Sequence, residues 1–241
     1  MSAPRGAIQR FGRRVRRRLV FVLLAFGAGA GATWYFREAI FGWLLAPADG
    51  KLSPFGGLPV YSSPIEMMGT TIGLAIKGGF VAAFPVLVFS VFGLVSPLFD
   101  PQRRRFIWLS LPPVLLCFAG GAAFAYYVML PTGLKFLLNF GTNIAVPLIT
   151  IASYMSLVTA LMFWLGIVFE LPLVMFLLAK LRLVSSRRFR RFRKHVPLAA
   201  FILGMLITPT FDMVNQTLVA VPIIVLFEVG LLLAWLAEGG H

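Results

Sequence analysis

From residue 19 onward the chain alternates long unbroken apolar runs with polar connections, and that pattern leaves it few ways to fold. Only 12% of the residues are charged, 59% are hydrophobic, and the mean hydropathy is +0.91. A soluble domain carries about 25% charged residues, roughly twice this share, so the bilayer is the expected solvent. Backbone buried in hydrocarbon must satisfy its own hydrogen bonds, which permits helices or a closed barrel. Apolar runs without polar alternation select helices.

Six spans follow, at 19–36, 70–96, 106–130, 151–178, 197–208 and 216–235, the last two short. The first has eighteen residues, roughly 27 Å of helix and close to a hydrocarbon core of about 30 Å. Its basic lead and Ala28-Gly29-Ala30 also fit a removable signal, but Trp34 and Tyr35 read as an interfacial anchor. Gly27 and Gly31 are spaced for close helix contact. The fifth span has twelve residues, about 18 Å, less than an ordinary bilayer. Pro112-Pro113 is expected to kink the third. A short outer helix is expected around 40–45, and the outer loops cover 37–68 and 131–150.

The net charge of +14 sits in three places. Seven arginines lie within 1–18, three within 97–105, and eight Lys and Arg within 180–194, so these segments hold eighteen of the 22. Six spans put all three on one side, and the excess of cations makes that side cytoplasmic. The expected protein is therefore all-α and multi-pass in a bacterial-type inner membrane, with both termini cytoplasmic. Residues 1–18 form a basic amphipathic arm suited to lying on anionic lipid, 19–236 a single six-helix membrane domain, and 237–241 a short tail. The basic run at 187–194 is a topology anchor on anionic lipid, which accounts for the charge without nucleic acid.

No catalytic, cofactor or metal motif stands out. Cys117 is the single cysteine and reads as a small core residue. Glu170 lies about ten residues from the basic loop, roughly 15 Å deep, where a carboxylate is costly and faces a bundle interior or water. It reads either as a polar foothold for a partner span or inserted peptide, or as a protonated structural group. Gln216 would join it in a polar patch. Asp212 reads as a helix cap or a functional acid, and Glu228 as a second buried acid. A small-solute transporter and an intramembrane enzyme are competing readings; the chain shows neither repeated halves nor paired catalytic groups.

Several segments together resemble the TatC family of twin-arginine translocase subunits. They are Ser63-Pro64-Ile65-Glu66, Pro85, Ser96-Pro97, the 121–126 stretch followed by Pro131, and Ala152-Ser153-Tyr154. Phe169-Glu170-Leu171-Pro172, Thr208-Pro209, Asp212, Gln216-Thr217, Pro222 and Phe227-Glu228 complete the series in order. The resemblance implies a subunit that recognises twin-arginine signal peptides on folded cargo and recruits single-span TatA- and TatB-like partners. It also implies use of the proton-motive force, assembly with further copies of itself, and no enzymatic activity or cofactor. Arg16, Glu170, Gln216, Asp212, Pro47 and Tyr126 match positions assigned there to signal, partner or outer-cap roles. Phe211 is an extra residue in the segment carrying Asp212. Arg14 and Arg103 stand where the family has its signal-binding glutamates. Guanidinium ligands are recognised by carboxylates, so weakened or altered signal recognition is expected, as in a divergent paralogue.

Overall fold

The computed structural model describes residues 3–48, 52, 59–96, 100–139, 149–207 and 213–239. Its elements are helical, with one isolated bridge between Val60 and Thr150. The helices are α1 (Ala3–Tyr35), α2 (Arg37–Leu45), α3 (Pro64–Val95), α4 (Pro101–Leu109), α5 (Leu111–Phe124) and α6 (Leu130–Asn139). They continue with α7 (Ile151–Phe169), α8 (Leu171–Lys180), α9 (Ser186–Phe192), α10 (Val196–Ile207) and α11 (Met213–Glu238). Among the described residues, five helical stretches are long and apolar enough to cross a bilayer: Gly12–Tyr35, Pro64–Val95, Arg105–Leu138, Ile151–Lys180 and Gln216–Glu238. The twelve-residue α10 is apolar but too short for that criterion.

The breaks within spans have local causes. α7 and α8 meet at Glu170, two residues before Pro172. A proline ring clashes with the carbonyl four residues earlier and offers no N–H to it, so the expected single span 151–178 is a broken one. The expected kink at Pro112-Pro113 is a turn at Ser110, which separates α4 from α5. A π-helical turn over Ala125–Met129 leads into α6. Pro131 occupies the first turn of α6, a position a helix tolerates, so helix replaces the start of the expected outer loop.

Three further expectations are corrected. The basic arm 1–18 does not form a separate surface helix but continues the first span as one unbroken helix, arginine being a good helix former. The last span is not short: α11 has 26 residues and keeps Pro222 within it. The basic loop 180–194 contains a helix, α9.

The contacts define two compact units, Met1–Phe41 with Thr71–Pro112, and Gly42–Thr70 with Pro113–His241. In the first, α1 and α3 approach through small residues. Gly29 faces Ala82 and Gly79, while Gly78 lies against Thr33. Gly27 and Gly31 face open space instead, so the helix contact runs through Gly29, between the two glycines expected to make it. Close backbone approach of this kind is what holds helices together where lipid removes the hydrophobic drive. In the second unit, α5 crosses α7 at Gly121 and Gly166. There α8 packs on α11 around Met175, Ala179, Phe227 and Ala234.

Candidate functional site

Glu170 forms the unusual feature of the second unit. The break between α7 and α8 turns its side chain inward, where it is 9% exposed. Neither carboxylate oxygen has a hydrogen-bond partner among the described residues. The Phe118 backbone and Cys117 are its near neighbours on α5, and the Phe118 ring covers Gly166. A buried polar group without a partner costs about 1–3 kcal/mol, more in lipid than in a wet interior. Gln216 does not satisfy it. That residue is half-buried at the start of α11, where its backbone closes on Gly204 of α10. No hydrogen bond joins Glu170 to Gln216, and Glu170 is left able to receive a donor.

Two acids of α11 are engaged. Glu228 is not a deeply buried acid: its side chain is 38% exposed and accepts from Arg193 Nε at 2.6 Å. Glu238 accepts from the Ser186 N–H at 2.7 Å and from the Ser186 hydroxyl, capping the start of α9. The pair ties the basic segment to the end of α11. Ser185 in the N-cap position was the available sequence signal for that helix.

A cap is built from long-range hydrogen bonds. Tyr126 stacks on Trp43 with ring centroids 4.4 Å apart, and its hydroxyl donates to the Trp43 carbonyl at 2.6 Å. The Tyr154 hydroxyl donates to the Leu44 carbonyl at 2.8 Å. These are carbonyls at the end of α2, which the helix itself leaves unsatisfied. Pro47 lies just beyond, half-buried in the 3-10 turn Ala46–Ala48. Glu66 accepts from Ser62 N–H at 2.6 Å and from Ala152 N–H at 3.4 Å, so one carboxylate serves the starts of both α3 and α7. The bridge from Ile151 N–H to the Val60 carbonyl, 2.9 Å, lies beside it. Pro47 and Tyr126 thus belong to cap architecture.

Arg14 and Arg16 are exposed along α1. Asp212 and the side chain of Arg103 lie outside the described residues. Among the described residues, no three His, Cys, Asp or Glu side chains gather in a way that would hold a metal.

The family model for Sec-independent protein translocase protein (TatC) matches residues 12–222. The Sec-independent protein translocase protein TatC of Aquifex aeolicus is 34% identical over 229 residues, covering 93% of each chain. Its counterpart from Escherichia coli K12 is 33% identical over 196 residues, covering 81% of this chain and 75% of that one. A crystal structure of the twin-arginine translocase receptor TatC superposes with a TM-score of 0.82 at 32% identity, over 94% of this chain and 99% of that one.

Proposed function

This chain belongs to the TatC family of Sec-independent protein translocases and is a non-enzymatic core subunit of a twin-arginine translocase; on that premise we propose how it works. It acts as a six-span subunit of the inner membrane with both termini cytoplasmic, α10 serving as a short fifth span. Residues 19–236 form the membrane domain. TatC proteins work with TatA and TatB partners and with signal peptides. Here the single-span partner docks beside the α7–α8 break and supplies the donor that the buried Glu170 lacks, and the proton-motive force drives folded cargo across. The subunit assembles with further copies of itself, and its basic segments rest on anionic lipid.

The observation that carries this reading is the buried, unpartnered carboxylate of Glu170 at the α7–α8 break. A fold tolerates such a cost where function requires it. Gln216 and Asp212 are assigned to the same partner-facing region. The arginines at positions 14 and 103 make recognition of ordinary twin-arginine signals weak, because like charges repel.

Expression in a cell lacking its own TatC is the direct test. Restored export of a folded reporter by this chain or by its Arg14→Glu/Arg103→Glu variant supports the translocase reading, and absence of export by both, with normal membrane levels of the protein and matched TatA and TatB, overturns it.

A further inference from the structure

We propose that the first unit carries a binding groove for one anionic phospholipid, with the headgroup on Arg14 and Arg17 and an acyl chain along Leu24 and Ala28. The proposal rests on α1 crossing the bilayer and on nothing else in the translocase reading.

The groove is open, about 820 Å³ in volume, and lies between α1 and α3. Its α1 wall is a single stripe: Arg14, Arg17 and Arg18, then Phe21, Leu24, Ala25 and Ala28. The intervals of three, four and seven place these side chains on one helix face, guanidinium groups at one end and hydrocarbon at the other. From 14 to 28 the helix rises roughly 21 Å, more than one leaflet, which is about half of a 30 Å core. The opposite wall is Val86, Phe89 and the Ser90 backbone.

The charge at the mouth is held in place and unneutralised. Arg18 donates to the Ser90 carbonyl at 2.5 Å, and Arg17 lies 5.7 Å from the centre of the Phe21 ring. Among the described residues no carboxylate pairs with Arg14, Arg17 or Arg18. The unit holds twelve Lys and Arg against two acids, Glu38 and Asp100. An anion with two or more acceptor oxygens suits such a cluster. The apolar end distinguishes the source: a soluble phosphate or an acidic peptide leaves Leu24 and Ala28 unmatched, whereas an acyl chain packs along them from the same molecule that carries the headgroup. A twin-arginine peptide would bring like charge to the arginine end.

The test is native mass spectrometry of the full chain purified in detergent, loaded with phosphatidylglycerol or with phosphatidylcholine of the same acyl chains. Retention of phosphatidylglycerol at least about tenfold above phosphatidylcholine is expected. It should fall at least about tenfold in Arg14→Gln/Arg17→Gln, and in Ala28→Phe, which fills the apolar end without touching the charge. Arg13→Gln/Arg16→Gln removes the same charge from α1 residues that do not line the groove and should change retention by less than about twofold. Equal retention of the two lipids overturns the proposal, as does equal loss in both arginine pairs. Complete displacement by equimolar glycerol phosphate, or full retention in Ala28→Phe, removes the acyl-chain half and overturns it too. The assay involves no cargo, partner or transport, so its failure leaves the translocase reading standing.

Discussion

The guanidinium of Arg18 lies against the backbone of Gly93, seventy-five residues away, and donates to the carbonyl of Ser90 at 2.5 Å. A cation placed on carbonyls in the last turns of a helix is favoured both by the hydrogen bond and by the helix dipole. Any Cβ at position 93 would occupy the guanidinium's place.

Gly93→Ala should therefore expel a flexible side chain without moving a helix. The lost hydrogen bond to a charged group costs about 1.5 kcal/mol and alanine's helix propensity returns about 1 kcal/mol, so a net loss of about 0.5 kcal/mol is expected. Thermal unfolding in detergent reads it. A double-mutant cycle with Arg18→Gln should show that the second substitution adds almost nothing to the first.

The α5–α7 crossing is less forgiving. A Cβ on Gly121 would meet the Leu165 carbonyl and the Gly166 Cα, both backbone. The neighbouring Gly120 faces open space. Gly121→Ala should cost about 2 kcal/mol or more as the helices are forced apart, while Gly120→Ala should be neutral or stabilising through helix propensity. Equal melting temperatures for the two variants would contradict the crossing geometry.

Glu170 should show opposite effects on stability and function. Glu170→Met removes an unsatisfied buried carboxyl while keeping much of its volume, so the melting temperature should hold or rise by the equivalent of about 1 kcal/mol. Export of a folded reporter should fall at least about tenfold with normal membrane levels. Loss of the protein itself would make Glu170 a structural group.

The two cap tyrosines should differ. Tyr154→Phe strands the buried Leu44 carbonyl and should cost about 1–3 kcal/mol. Tyr126→Phe loses a similar hydrogen bond but keeps the stack on Trp43, so its cost should be smaller, about 1 kcal/mol. Intrinsic tryptophan fluorescence during thermal unfolding would follow both.

Charge at positions 14 and 103 should control signal recognition. Arg14→Glu with Arg103→Glu turns two repulsive sites into two carboxylates and should raise affinity for a twin-arginine peptide at least about tenfold. Titration with a fluorescent peptide, using a lysine-for-arginine peptide as control, measures it. Unchanged affinity would place recognition elsewhere.

Sequence patterning already located the helices, since hydrophobic length is a property of each segment alone. Five of the six expected spans have counterparts long enough to cross, and Pro172 and Ser185 carried signals for a break and a helix start that reading by apolar length passed over. The pairing of glycines was harder to read. Gly27, Gly29 and Gly31 look alike in sequence, and only the crossing with α3 selects Gly29. Glu66, Glu170 and Glu228 likewise have the same chemistry yet become a double cap, an orphan and an ion-pair partner.

The amino-acid order alone determined that this chain lives in lipid as a set of helices, and where along it the positive charge gathers. Hydrophobicity and formal charge are carried by residues wherever they fold. Tertiary structure decided which polar groups are answered: Tyr154 finds Leu44 across 110 positions, Glu66 finds Ala152 across 86, and Glu170 finds none among the described residues. Hydrogen bonds act over about 3 Å, so satisfaction depends on which helices cross and at what height, and no local pattern encodes that.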